Sequence, residues 1–347
     1  WQGVRVLPYR VARGNTPGLH PWLVDFETKA LRGEACVRAA QKLKQQGFEP
    51  RVIVAHPGWG ESLFLKQLWP RACLGLYAEF YYQGEGADSG FDPEFPDADP
   101  LASACRLQLK NLNHHAQAHL ADGALSPTGW QAASFPADYR ARITVAHDGI
   151  DTDALRPEPS VRFAVGADGP VLTREDEVVT FVARQLEPYR GYHVFMRALP
   201  GLLRARPRAR VLVVGGDEVA YGARRADGRS WKQALIDEVR PAIAEADWAR
   251  VHFLGTLERE RFTALLQLSR LHVYLSYPFV LSWSLLEAMS VGACVLASDT
   301  APVREAITDG ESGRLVDFFD VQGLVDRACE LLDDAAQRAR LGAQARA

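Results

Sequence analysis

Tyr277-Pro-Phe-Val-Leu-Ser-Trp-Ser-Leu-Leu-Glu-Ala-Met-Ser-Val-Gly-Ala293 decides the fold, because it passes from the end of an apolar strand straight into a helix. His272 to Tyr277 is a short run of β-branched, aromatic and aliphatic residues, and Pro278 ends it. The hydroxyls of Ser282 and Ser284 are suited to cap the helix that carries Glu287. A helix opening at the end of a buried strand offers free backbone N–H groups, here at Ser284 and Leu285, to an anion. Glu287, about one turn inside, is placed to take a sugar hydroxyl. The alternative is an ordinary capped helix with Glu287 on a solvated face.

Outward from this stretch, the chain from Val178 alternates compact apolar runs with amphipathic segments, the signature of a parallel sheet covered by helices on both faces. Strands are expected at Val178 to Ala183, Arg210 to Val214, Val251 to Leu254, Leu271 to Leu275, Cys294 to Ala297 and Arg314 to Val316. Helices are expected between them at Tyr192 to Arg206, Ser230 to Ala246, Glu258 to Ser269, Ser284 to Val291 and Val303 to Ile307, with a last one at Val321 to Asp333. This half reads as Rossmann-like. The first half is similar but shorter: a helix at Thr28 to Gln46, strands at Arg51 to Ala55, Leu74 to Phe80 and Ile143 to Ala146, and a helix at Ala102 to Leu120. It starts near Val4 to Leu7 without the opening strand and glycine-rich turn of such a domain, so an N-terminal β-α unit is expected to be absent. Asp151 to Asp176, with Pro157, Pro159, Gly166, Gly169 and Pro170, reads as a linker beside a cleft. The expected domains are 1–156 and 157–347.

The 347 residues, 47% of them apolar, supply a core for each domain. A net charge of −3 gives no footprint for nucleic acid. No apolar run approaches the roughly 20 residues of a membrane span, and Trp1 opens no signal peptide. Five scattered cysteines without a Cys-x-x-Cys pair favour buried thiols in a reducing cytosol. Arg32, Arg38, Lys42 and Lys44 give Thr28 to Gln46 a partly basic face. That face admits peripheral contact at the inner side of a membrane, with a solvated helix as the alternative.

The opening stretch resembles the donor-site motif of the retaining glycosyltransferases of family four, the glycosyl transferases group 1. Their pattern is Glu-x-Phe-Gly-x-x-x-x-Glu-Ala-x-Ala-x-Gly. Glu287-Ala-Met-Ser-Val-Gly292 matches its second half, whereas Phe279 stands where the first glutamate belongs and Ser282 where the glycine belongs. The resemblance implies a ribose contact for Glu287, and the sugar contact of the first glutamate does not carry over. Phe181-Val-Ala-Arg-Gln-Leu-Glu-Pro-Tyr-Arg-Gly191 resembles the family segment whose two cations bind the donor diphosphate. Arg184 matches the first, and Arg190 replaces a lysine one residue further along. Val54-Ala-His-Pro-Gly-Trp-Gly-Glu61 resembles the segment in which a histidine ends a strand beside the donor sugar, which assigns that place to His56. Gly58, Trp59 and Glu61 follow in a tight turn, and Glu79 and Tyr81 in Tyr77 to Tyr82 are further candidates for sugar or acceptor. Gly215 and Gly216, after a strand, are placed where they could face the nucleotide, and Leu254 and Gly255 in Phe253-Leu-Gly-Thr256 match the family loop that holds the base through its backbone. Val145-Ala-His-Asp-Gly-Ile-Asp151 resembles the segment ahead of the family's interdomain linker.

The resemblance implies an α/β protein of two facing Rossmann-like domains, the GT-B arrangement. Implied too is transfer, with retention and without a metal or other cofactor, from a UDP- or GDP-sugar to a glycan or lipid-linked glycan. A nucleotide-sugar epimerase of the same fold and a silent nucleotide-binding protein are the alternatives. An NAD enzyme is disfavoured because no Gly-x-Gly-x-x-Gly opens either domain.

Overall fold

Short β-branched runs separated by amphipathic stretches form two parallel sheets, one in each of the units Trp1–Asp148 and Gly149–Ala347. The computed structural model describes residues 3–166 and 169–347. In the first unit, β1 (Val52–Ala55), β2 (Cys73–Tyr77), β3 (Gly123–Ser126) and β4 (Ile143–Val145) lie in the order β1-β2-β3-β4, every pair parallel. Leu74, Leu76 and Ala124 are buried with Phe135 and Tyr139. Val52 and Val54 on the edge strand β1 are exposed. Strand β3 escaped the sequence reading because Gly-Ala-Leu-Ser is short and carries little β propensity. Val4 to Leu7 forms no strand. The helix expected over Ala102 to Leu120 is two, Pro100–Lys110 and Leu112–Ala118. Between them Asn111 is turned to the backbone of Tyr82, donating to its carbonyl at 2.8 Å and accepting from its N–H at 3.1 Å.

The second unit has the sheet order β12-β11-β10-β7-β8-β9, built from β7 (Val178–Gln185), β8 (Arg210–Gly216), β9 (Val251–Phe253), β10 (Leu271–Tyr274), β11 (Val295–Ser298) and β12 (Arg314–Val316). The chain winds outward from β7 to β9, then returns and winds outward the other way from β10 to β12. The switch point therefore falls between β7 and β10, where doubly wound sheets open a crevice at the carboxyl ends.

Asp151 to Asp176 is not a linker. It contains an antiparallel hairpin, β5 (Arg162–Ala164) with β6 (Val171–Thr173), whose Phe163 and Leu172 are buried in the second unit's core. Leu155 is buried there too, its carbonyl accepting from Ser290 Oγ at 2.6 Å and from Arg346 Nη1 at 2.9 Å. Local proline and glycine content hid a hairpin whose stability comes from this distant packing. The units divide after Asp148, ahead of the expected boundary at 156. The helix expected over Ser230 to Ala246 stops at Val239, because Pro241 lacks the N–H that an α-helix needs, and a 3₁₀ turn, Arg240–Ala242, follows. A C-terminal helix, Ala335–Arg346, was not anticipated; Asp334 caps it by accepting from Gln337 N–H at 2.8 Å. All five cysteines are free, but only Cys294 is buried and Cys73 is exposed, so burial of the thiols does not hold in general.

Two histidines tie stability to pH. Burial, and then the charge of Lys29, push His114 in the first unit down to about 3; burial alone pushes His272, beside Thr180 Oγ1 at 2.8 Å, down to about 4. Each folded unit thus refuses a proton that its unfolded chain takes up near pH 6.5. Stability is full above that value and is lost as pH falls from about 6.5 towards the folded values, at up to about 1.4 kcal/mol per pH unit for each histidine. The melting temperature of both units should fall over this range. A His272→Gln variant should show a shallower decline, and an unchanged slope would contradict the assignment.

Candidate functional site

The carboxyl end of β7 carries Arg184 and leads through a 3₁₀ turn, Pro188–Arg190, to the helix Tyr192–Ala205. Gly191 joins turn to helix with φ +66°, and a Cβ there would lie 2.2 Å from that of Leu275, so only glycine fits. This turn sends Arg190 across the switch point to the end of β10. Its Nη1 donates to Ser276 Oγ at 2.8 Å, to the Val280 carbonyl at 3.1 Å and to Tyr274 Oη at 3.4 Å. The guanidinium also lies 5.3 Å from the Tyr221 ring centre and 5.8 Å from that of Phe279. Arg190 is 6% exposed, and among the described residues no carboxylate pairs with it. Arg184 is exposed and likewise has no ion-pair or hydrogen-bond partner among them.

Aromatic rings wall this cation. Phe279, itself buried, packs at 5.6 Å from Tyr189 and 5.1 Å from Tyr221, and Tyr189 packs at 4.9 Å from Tyr277. The loop bearing Tyr221 is pinned by Glu187, a fully buried carboxylate that accepts from the N–H groups of Ala220, Tyr221 and Gly222 at 3.0 to 3.2 Å. Three backbone donors suffice to hold a buried carboxylate. Neither Glu187 nor Tyr221 was singled out from sequence, since their partners lie more than thirty residues away and no motif marks them.

The helix Trp283–Ser290 starts as expected, with Ser282 as cap, and Ser282 N–H reaches Tyr274 Oη at 3.0 Å. Its first donors are not free, however. Leu285 N–H is taken by the Ser282 carbonyl at 3.1 Å and Ser284 N–H by Ser282 Oγ at 3.4 Å. The N–H groups expected to be free at Ser284 and Leu285 are thus engaged within the turn, and among the described residues Arg184 and Arg190 at this end of the sheet have no ion-pair partner. Glu287 is buried on the same helix, not on a solvated face, and pairs with Arg259 at the start of the helix Arg259–Leu268. Gly215 has a structural reason: a Cβ there would come within 2.8 Å of the Ala183 carbonyl; at Gly216 the nearest atoms are the end of the flexible Gln185 side chain. Gly215 N–H donates to the Gly255 carbonyl, and Leu254 N–H to Val213, so these loops are fastened to one another.

In the first unit, His56 ends β1 and caps the 3₁₀ turn Pro57–Trp59. His56, Gly58, Trp59 and Glu79 form one cluster, with His56 Nε2 at 3.0 Å from Glu79 Oε2 and the Trp59 ring at 5.8 Å. Glu61 and Tyr81 lie elsewhere. Glu61 accepts from Tyr9, whose phenol is pushed up to about 12 by burial and this hydrogen bond. Tyr81 packs on Phe135 at 5.6 Å and bonds His115 at 2.8 Å.

Residues 168–347 match the model of the glycosyl transferases group 1, and residues 1–155 that of the glycosyl transferase family 4 group. The chain therefore belongs to the group 1 glycosyltransferases of family 4. It is 31% identical over 204 residues (57% of this chain, 48% of the relative) to a phosphatidyl-myo-inositol mannosyltransferase of Mycolicibacterium smegmatis. It is also 31% identical over 249 residues (70% and 52%) to a D-inositol 3-phosphate glycosyltransferase of Mycobacterium leprae. The matches span about half the length of these curated relatives. Among solved structures, a sucrose-phosphate synthase from Thermosynechococcus elongatus is similar with a TM-score of 0.66 at 19% identity, covering 92% of this chain and 73% of that one. Anabaena HepE in complex with UDP and glucose gives 0.61 at 18%, covering 89% and 76%. These likenesses establish two Rossmann-like domains of the GT-B kind. Among the described residues no helix is long and apolar enough to cross a membrane.

Proposed function

We propose that this protein transfers a glycosyl group from a nucleoside-diphosphate sugar to a hydroxyl of a glycan or lipid-linked glycan, with retention and without a metal. The observation that carries this reading is Arg190, a buried guanidinium at the switch point with only neutral partners among the described residues. A charge removed from water without a counter-charge is costly, and a diphosphate would supply that counter-charge. As the glycosidic bond breaks, negative charge grows on the leaving phosphate, and Arg190 with Arg184 receives it. The acceptor hydroxyl attacks on the face from which the phosphate departs, and the departing phosphate oxygen takes its proton. The resemblance assigns the ribose hydroxyls to Glu287 and the transferred sugar to the His56 cluster. The donor is a UDP- or GDP-sugar.

The test is thermal stabilisation by UDP, GDP and ADP, followed by release of UDP or GDP from UDP-glucose and GDP-mannose. One nucleotide should raise the melting temperature in a concentration-dependent way. No shift with any of them at millimolar concentration would sink the reading. Glu287→Gln, which keeps the shape but weakens acceptance from ribose hydroxyls, should lower affinity for the stabilising nucleotide by about 1 to 3 kcal/mol. Unchanged calorimetric binding would remove Glu287 from the site.

A further inference from the structure

Both ring nitrogens of His56 are already engaged. Gly58 N–H donates to Nδ1 at 3.1 Å, and Nε2 lies 3.0 Å from Glu79 Oε2. A backbone N–H can only donate, so Nδ1 must present its lone pair, and the ring proton belongs on Nε2 facing the carboxylate. A proton on Nδ1 would set two N–H groups against each other.

Three elements hold this arrangement from behind. The Pro57 carbonyl accepts from Asn113 Nδ2 at 2.7 Å and from Gln117 Nε2 at 3.4 Å; both amides are fully buried, and they fix the turn that carries Gly58. A Cβ on Gly58 would lie 2.7 Å from His56 Cε1, so a larger residue there would displace the ring. On the other side, the buried Gln131 donates to the Glu79 backbone carbonyl at 2.7 Å, and the Tyr77 ring packs 5.7 Å from the imidazole. Buried amides on separate helices converging on one histidine and one carboxylate exceed what a surface ion pair requires.

The other carboxylate oxygen is uncommitted. Glu79 Oε1 has no hydrogen-bond partner among the described residues, and the side chain is 38% exposed, against 28% for His56. The dyad thus presents a carboxylate acceptor to its surroundings, while the imidazole has no lone pair to spare.

We infer that Glu79 is the group in this cluster that accepts a hydroxyl of the bound sugar. His56 is its positioning residue, held as the neutral Nε2–H tautomer and unable to act as a proton acceptor. This rests on the reading of the cluster as a sugar site. It reassigns the contact within that site from the imidazole to the carboxylate.

The tautomer is tested without substrate, by ¹⁵N NMR of histidine-labelled protein at neutral pH, with His56→Gln identifying the His56 signals. The expected result is protonated Nε2 and bare Nδ1. A proton on Nδ1, or on both nitrogens, overturns the inference whether or not the protein transfers sugars. Turnover of UDP-glucose or GDP-mannose, whichever the wild type consumes, tests the contact. Glu79→Ala should lower kcat/KM by about 10- to 100-fold, the scale of a lost charge-assisted hydrogen bond. His56→Gln, whose amide N–H can still donate to Glu79, should keep more activity than His56→Ala. Equal loss in both His56 variants, or wild-type turnover in a folded Glu79→Ala, overturns the inference. A fully active His56→Ala together with a fully active Glu79→Ala would instead overturn the sugar-site reading itself, and the inference with it.

Discussion

Arg190→Met should leave the free protein as stable as before or more so, while turnover falls on the order of 10²-fold. The two halves of this expectation have one cause. In the free protein the guanidinium is buried against Ser276, Tyr274, the Val280 carbonyl and two aromatic faces, with no carboxylate partner among the described residues. Replacing such a charge by an apolar side chain of similar length removes a desolvation cost, and exchanges of this kind are often neutral or stabilising. In the transition state of the proposed reaction the same charge would face the growing negative charge of the leaving phosphate, so its loss should appear in kcat more than in ground-state binding. Arg184 is exposed and unpaired among the described residues, so Arg184→Ala should leave the melting temperature unchanged yet cost a similar factor in turnover. Even Arg190→Lys should be poorly tolerated, because an ammonium cannot reach Ser276 and Val280 while also facing a phosphate with a planar fork. Melting curves with single-turnover kinetics check both halves. A large drop in stability with normal turnover would make Arg190 a structural residue.

Phe279→Glu should weaken binding of the stabilising nucleotide diphosphate by about 10- to 100-fold while leaving the fold intact. From sequence alone, a carboxylate at this position is either a restored sugar contact or a buried, unpaired charge that weakens the fold. The structure supplies a partner. The Phe279 ring lies 5.8 Å from the Arg190 guanidinium, so a glutamate there would be placed to pair with it and neutralise the charge proposed to bind the phosphate. A buried pair is close to neutral for stability, which is why the melting temperature should change little. Calorimetry with UDP and GDP, alongside melting curves, separates the outcomes. Tighter binding would mean a restored contact, and collapse of the fold would mean that the aromatic wall of Tyr189, Tyr221 and Phe279 tolerates no charge.

Much of the second unit was legible because its strands are continuous apolar runs bounded by polar or turn residues, and its helices carry apolar faces at helical spacing. All six strands of its sheet fall within a residue or two of expectation. Less of the first unit was legible, since β3 is short and glycine-bearing, and the break at Asn111 depends on a hydrogen bond to Tyr82, far away in sequence. The hairpin β5-β6 was invisible for the same reason: its proline- and glycine-rich surroundings read as linker until Phe163 and Leu172 are seen inside the core.

At the candidate site the division is similar. The sequence by itself placed His56 just past a strand, Arg184 towards the end of one and Glu287 inside the helix that follows another. That the turn after β7 is tight, with Gly191 at φ +66°, came only from the structure. Only the tertiary structure decided which of these groups are committed and which are left over. Glu287 is paired with Arg259, the first N–H groups of its helix are taken by Ser282, and both nitrogens of His56 are occupied. Among the described residues, Arg190 meets no carboxylate and Glu79 Oε1 no hydrogen-bond partner. Strand ends are local properties of composition and spacing, whereas the balance of charges and hydrogen bonds at a point depends on groups that the chain brings together from tens of residues away.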